Sequence, residues 1–291
     1  MFKMRHIATS TNGSYFLTAE FEKKVYCWDL ETQAHISSFD TILSFGGAGL
    51  AISEDGAHCV AAAYERYGVS MYDILNGTVI WQRKDIKKAG PIKFDPSNEK
   101  LYISIDEKPM QVIDRNTGCD IEKLNAIREV YFDPLSSKPL FLKGRFTVVH
   151  CGNAIISLYP TLTFIDIDIT GKGVILSVVG NDLFYYSFAE QKIVWKITPK
   201  QEEHFIKVAY SEKNQIIYAI MYKYGEQRTS PYHLLYGISE EDGTIKFTFP
   251  LPMGSCEFGF AQKATKLICS SGEIFEMSCS EPHLIYKYSW D

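Results

Sequence analysis

Short apolar stretches with two-residue alternation recur along the chain, each bounded by a small polar turn. Tyr15-Phe16-Leu17-Thr18-Ala19 is one stretch, and Val25-Tyr26-Cys27-Trp28-Asp29-Leu30 follows it after Glu22-Lys23-Lys24. Period-two alternation marks a strand, because successive side chains leave opposite faces. Ile7-Ala8 ends an earlier strand, and Ala34-His35-Ile36-Ser37-Ser38-Phe39 forms a later one. The opening of the chain therefore predicts four antiparallel strands, A to D, joined by tight turns.

The unit then repeats. The turn after strand A recurs at Thr9–Gly13, Ile52–Gly56, Phe94–Asn98, Phe132–Ser136, Ile169–Gly173, Tyr210–Asn214 and Phe260–Ala264. The second residues of these turns are 43, 42, 38, 37, 41 and 50 apart. A period near 40–45 residues with several short strands per unit predicts a β-propeller. The expectation is an all-β fold, a seven-bladed β-propeller of four-stranded antiparallel blades. It fills residues 1–291 as a single domain. One unit cannot bury its own apolar faces, so each must stack on its neighbours. Unit four is the least regular, with strands B and C over Leu140–His150 and strand D over Ala154–Leu158. Unit six has the longest B–C connection, Lys223 to Pro231. The last unit owns a strand D over Leu284–Trp290, so the ring is expected to close by apolar contact between units one and seven.

The first unit resembles a WD repeat over its whole length. Trp28-Asp29 falls where that family's dipeptide falls, and Thr18 takes the position of its small hydroxyl residue. Tyr72-Asp73 and Ile113-Asp114 keep part of the frame in the next two units. The resemblance implies that Trp28 is buried between blades one and two. The family's Gly-His before strand A is missing, so its Asp–His–Ser–Trp hydrogen-bond network is not expected. The C–D turns Asp73-Ile74-Leu75-Asn76-Gly77 and Asp114-Arg115-Asn116-Thr117-Gly118 end in Gly, which supplies positive φ for tight hairpins. An apolar strand with Trp follows at Val79-Ile80-Trp81 and Ile193-Val194-Trp195. That second pattern resembles quinoprotein-type propellers and implies the same fold.

Composition narrows the function. The net charge of −5 speaks against nonspecific nucleic-acid and anionic-membrane partners. No apolar run approaches the eighteen residues of a membrane span. Met1-Phe2-Lys3-Met4-Arg5-His6 shows no leader pattern. The 7 Cys are an odd number, with no CxxC pair. This predicts buried free thiols and a cytoplasmic setting.

Candidate chemistry is sparse. The seven His (6, 35, 58, 150, 204, 233 and 283) show no metal-ligand spacing. Asp166-Ile167-Asp168 places two carboxylates on one face of a strand A, where the inner strands line the channel. Corresponding positions in other units, such as Lys93 and Tyr131, supply no further ligands. The pair reads as two solvated channel carboxylates. Phe45-Gly46-Gly47-Ala48-Gly49 leads into a strand, not a helix, and reads as a loop between blades rather than a phosphate cradle. No catalytic residue, metal or cofactor is expected.

The B–C and D–A loops gather on one side of the disc. Arg66, Tyr67, Arg145, Tyr224 and Arg228 come from B–C loops, and Phe45 and Arg128 from D–A loops. Tyr and Arg are the types most enriched at binding hot spots. The chain is therefore expected to be a noncatalytic protein-binding module, a monomer on its own. It would serve as a dedicated inhibitor, such as an immunity protein against a bacterial toxin, or as a scaffold subunit. The rival reading is a channel-centred metal-assisted hydrolase or lactonase-like enzyme built on Asp166 and Asp168. Thiol titration of the denatured chain without reductant should find about seven groups. Three or fewer would overturn the cytoplasmic expectation.

Overall fold

The computed structural model describes residues 6–10, 13–19, 24–42, 49–63, 68–133, 137–143, 148–151, 154–157, 164–178, 182–200, 202–223, 232–255 and 257–288. Among them there are strands and turns but no helix, and so none long and apolar enough to cross a membrane. Sheet 1 is β1 (His6–Thr9), β2 (Tyr15–Ala19), β3 (Lys24–Asp29) and β4 (His35–Asp40). Sheet 2 is β5 (Leu50–Ile52), β6 (His58–Ala63), β7 (Gly68–Asp73) and β8 (Val79–Arg83). Sheet 3 is β9 (Ala89–Phe94), β10 (Lys100–Ile105), β11 (Met110–Asp114) and β12 (Asp120–Leu124). Sheet 4 is β13 (Ile127–Phe132), β14 (Pro139–Lys143), β15 (Val148–Cys151) and β16 (Ala154–Ser157). Sheet 5 is β17 (Phe164–Ile169), β18 (Gly173–Val178), β19 (Leu183–Ser187) and β20 (Lys192–Ile197). Sheet 6 is β21 (Glu203–Ser211), β22 (Ile216–Lys223), β23 (Tyr232–Ser239) and β24 (Ile245–Pro250). Sheet 7 is β25 (Phe258–Ala261), β26 (Lys266–Cys269), β27 (Glu273–Glu276) and β28 (His283–Lys287).

Each sheet pairs its strands in sequence order, and every described pairing is antiparallel. Six sheets have all three pairings described. In sheet 4 only the β15–β16 register is. Blade by blade, the expected seven are thus traced through in six. The chain is an all-β propeller of four-stranded antiparallel blades.

The chain divides into two compact units. Unit one, Met1–Val130 with Phe141–Gly144, holds sheets 1 to 3. Unit two, Tyr131–Leu140 with Arg145–Asp291, holds sheets 5 to 7, and the strands of sheet 4 carry residues of both. Within unit one the first strands β1, β5 and β9 are neighbours in turn. Within unit two β17 lies beside β21.

Strand parity decides what each sheet buries. On β6, Cys59 and Ala61 pack with Leu17, Ala19, Val25 and Cys27 of sheet 1. Val60 and Ala62 on the same strand pack with Ile92, Leu101 and Ile103 of sheet 3. In unit two, Ile217, Ala219 and Met221 face Ile175, Leu183 and Trp195 of sheet 5. Their alternates Ile216, Tyr218 and Ile220 face Leu267, Cys269 and Phe275 of sheet 7. Sheets 2 and 6 are therefore apolar on both faces. Each fully buried Val, Leu or Ile contributes roughly 1.5–3 kcal/mol relative to exposure.

The same parity corrects the expectation for Trp28. Cys27, not Trp28, belongs to the cluster shared with sheet 2. Trp28 is on the opposite face and only half-buried, stacked on Phe16 at 6.3 Å and edge-on to His35 at 5.2 Å. Its indole Nε1 donates to Thr18 Oγ1 at 3.0 Å. A tryptophan-to-hydroxyl bond is thus present where no such link was expected. Asp29 has a different task. Its Oδ1 accepts from the backbone N–H of Glu31 and Thr32 at 2.8 and 2.7 Å and closes the C–D turn. Asp73 and Asp114 do the same for Asn76 and Thr117.

A second tryptophan contact fastens one sheet to the next at the outer strand. Trp81 on β8 donates to the Arg115 carbonyl at 2.6 Å, and Trp195 on β20 donates to the Glu240 carbonyl at 2.7 Å. Both acceptors lie in the C–D turn of the following sheet. The indole lies against the glycine of that turn, Gly118 or Gly243. A Cβ there would sit 2.8 Å from the ring, and φ is +70° or +72°. Only glycine meets both demands. Trp195→Ala should therefore cost roughly 3–5 kcal/mol in urea unfolding, and the half-buried Trp28→Ala less. Equal losses would show that the outer contact adds nothing.

Candidate functional site

Of the seven residues assigned from the sequence to protein binding, Arg128 alone lies among the described residues. Phe45, Arg66, Tyr67, Arg145, Tyr224 and Arg228 lie outside them. Arg128 was expected in a D–A loop but is the second residue of β13 and exposed. The connection before it is only Asn125-Ala126, with Ala126 at φ 60°, so the strand begins sooner than the turn signal implied. Its carbonyl accepts a hydrogen bond from Ser104 on β10.

The paired carboxylates are not the solvated groups expected. Asp166 Oδ2 accepts from the Val208 N–H at 2.8 Å, and Asp168 Oδ2 accepts from the Tyr210 N–H at 2.6 Å. Asp168 Oδ1 also accepts from the Ile169 N–H at 2.8 Å. Both side chains reach from β17 to β21 and satisfy backbone donors on the edge of the next sheet. Among the described residues no group of three or more His, Cys, Asp or Glu is arranged to hold a metal ion.

The described cavity is elsewhere, on the side of unit two that carries the A–B and C–D turns. It measures about 740 Å³. Its walls come from the turn at Gly171-Lys172 and the turn after β19 in sheet 5. Sheet 6 contributes Gln215 and the turn at Ser239-Glu240-Glu241. Glu240 is the organising residue, 8% exposed. Tyr185 Oη donates to its Oε1 at 2.7 Å, and Tyr210 Oη donates to Oε2 at 3.1 Å. With its proton committed to Glu240, the Tyr185 oxygen accepts from Thr170 Oγ1 at 3.2 Å. Thr170 Oγ1 in turn accepts the Gly173 N–H at 3.1 Å. Trp195 stacks on Tyr185 at 5.5 Å and holds the Glu240 main chain. Three carboxylates, Glu190, Glu240 and Glu241, line the cavity against one cation, Lys172. The lysine is 77% exposed and its Nζ is 3.8 Å from Glu240 Oε2.

Sequence reasoning read these segments as turns alone. The available signal was the run Glu240-Glu241-Asp242 ahead of Gly243, more acidic than a hairpin needs. A second polar run closes the B–C turn of sheet 7. Ser255 and Ser271 hydroxyls are 2.5 Å apart, Ser271 bonds Glu273, and Lys287 meets Glu273 at 2.8 Å.

No family model matches the chain, and no curated protein matches it. Among solved structures it is similar to the computationally designed Ika8 protein. The TM-score is 0.66 at 11% identity, over 99% of this chain and 87% of that one. At that identity the likeness shows the fold alone. Because 1520 solved chains match, the fold by itself selects no activity.

Burial first, and then the Glu240 charge, push the Tyr210 phenol from 10.0 up to about 12. The folded state favours the neutral phenol. Its contribution to stability is therefore full below pH 10 and lost as pH rises through about 12. Alkaline unfolding followed by circular dichroism should steepen in that interval. Glu240→Gln should lower the phenol's ultraviolet titration midpoint, and an unmoved midpoint would disprove the coupling.

Proposed function

We propose that this chain is a noncatalytic protein-binding propeller. The observation that carries the reading is the use of Asp166 and Asp168. A channel hydrolase or lactonase would need those oxygens for a cation or a water. Here they are spent on the main chain of β21. The cavity at Glu240 instead offers a recessed polar site in which Glu240 and Tyr185 are already locked by hydrogen bonds, which suits recognition. The proposal includes a seven-bladed, WD-like or quinoprotein-like ring. The Trp28–Thr18 bond supports the first likeness, and the paired Trp81 and Trp195 contacts the second. It also includes a cytoplasmic setting, supported by the buried free thiols Cys27, Cys59 and Cys269. The biological role would be a dedicated inhibitor, such as an immunity protein against a bacterial toxin, or a scaffold subunit.

The test is capture of a partner from the native host, followed by calorimetric titration of the purified pair. Two variants divide the surface. Arg66, Tyr67, Tyr224 and Arg228 replaced together by Ala probe the B–C loop side, and Glu240→Gln probes the opposite turns. A loss of at least about 2 kcal/mol in either variant identifies the docking side. Hydrolysis of an ester or lactone that a chelator abolishes would overturn the noncatalytic reading.

A further inference from the structure

The junction between sheets 5 and 6 has a counterpart between sheets 2 and 3. In both, a Trp on the outer strand of the leading sheet donates to the carbonyl of the second residue of the next C–D turn. That residue is Arg115 in unit one and Glu240 in unit two. In both, the same residue's side chain turns toward the A–B turn of the leading sheet. Arg115 Nη1 meets Asp55 Oδ2 there at 3.0 Å, with the Arg side chain only 16% exposed. This pair closes its junction with a guanidinium on a carboxylate. At the second junction the carboxylate has moved to the C–D turn, and among the described residues no guanidinium stands against it. The local cation, Lys172, stands off at 3.8 Å and remains mostly in solvent. The 740 Å³ cavity opens at this point.

Glu240 is prepared for such a group. An ionised carboxylate has about four lone-pair directions. Tyr185 takes one on Oε1 and Tyr210 one on Oε2, which leaves one on each oxygen. One acceptor site on each oxygen is the pattern that a planar guanidinium fork fills with two parallel N–H bonds. The Tyr185 ring in the cavity wall is itself fixed, 5% exposed and stacked on Trp195, so its hydroxyl is held on Glu240. The lining carries three carboxylates and one lysine, and Glu190 is already paired with Lys192 at 2.9 Å. The residual field is negative.

We infer that the cavity between sheets 5 and 6 receives an arginine side chain of the partner protein, with the Glu240 carboxylate as its bidentate acceptor. The inference rests on the protein-binding reading above and adds the chemistry of the partner's anchor.

The test uses the full chain and the probe peptide acetyl-Gly-Arg-Gly-amide, with its citrulline counterpart and free agmatine as controls. Binding is followed by near-ultraviolet changes of Tyr and Trp and by calorimetry. The arginine peptide should bind saturably in the millimolar range or tighter. The citrulline peptide, neutral but of the same shape, should bind at least about tenfold more weakly, and Glu240→Gln should cost the arginine peptide a similar factor. Lys172→Met removes a competing cation from an exposed position and should strengthen binding roughly two- to fivefold, which gives a readout even if Glu240→Gln does not fold. Absence of saturable binding, equal binding of the citrulline peptide, or indifference to both variants would overturn the inference. Agmatine binding more tightly than the peptide would assign the cavity to a small guanidine instead of a protein. A captured host partner whose affinity is unchanged by Glu240→Gln and Lys172→Met would leave the protein-binding reading standing and remove this inference alone.

Discussion

The packing of each unit turns on a central sheet that is apolar on both sides, sheet 2 in unit one and sheet 6 in unit two. A four-stranded sheet such as β5–β8 carries Cys59, Ala61 and Tyr72 on one face and Val60, Val69 and Met71 on the other. Neither face can be left to water without forfeiting burial comparable in size to a fold's net stability. Sheets 2 and 6 therefore each require a sheet before and one after. The short turns between strands and the near-regular spacing of the units are what that requirement looks like along the chain.

Apolar stacking is non-directional, and two polar devices give it direction in unit two. Near the first strands, Asp166 and Asp168 bind the Val208 and Tyr210 N–H groups, alternate donors on β21, and set the height at which one sheet meets the next. At the outer strand, Trp195 bonds the Glu240 carbonyl and lies on Gly243. Buried polar groups need partners, and these side chains supply them without a fifth strand. Ser177, which donates to the Phe205 carbonyl at 2.6 Å, adds a third tie between them.

The architecture was legible in the sequence because it is local. Strand B at Tyr15–Ala19 and the long connection between Lys223 and Tyr232 stand where periodicity and turn residues implied. Face assignment was less so. Trp28 resembles a family position, yet parity put Cys27 on the side toward sheet 2. The roles of Asp166 and Asp168 could not be read from their spacing, because their partners are backbone groups 42 residues away. The Glu240 site was hidden for the same reason. Its members come from four turns and strands of two sheets, and each segment alone is an unremarkable hairpin. The residues chosen for their Arg and Tyr content lie mostly outside the described set, while the described cavity is formed by the A–B and C–D turns of sheets 5 and 6.

The two fastenings of sheets 5 and 6 have a mechanical consequence. With one tie near the axis-side strand and one at the outer edge, a couple acting on either sheet meets resistance at both ends of its lever arm. The gap between their turns then behaves as a jaw of fixed aperture. A side chain entering it would lose its own rotational freedom, while Tyr185 and Glu240 in the wall are already held by their mutual hydrogen bond. On the proposed reading, recognition in such a jaw would select by length and planarity, and complex formation would proceed at the pace of encounter rather than of rearrangement.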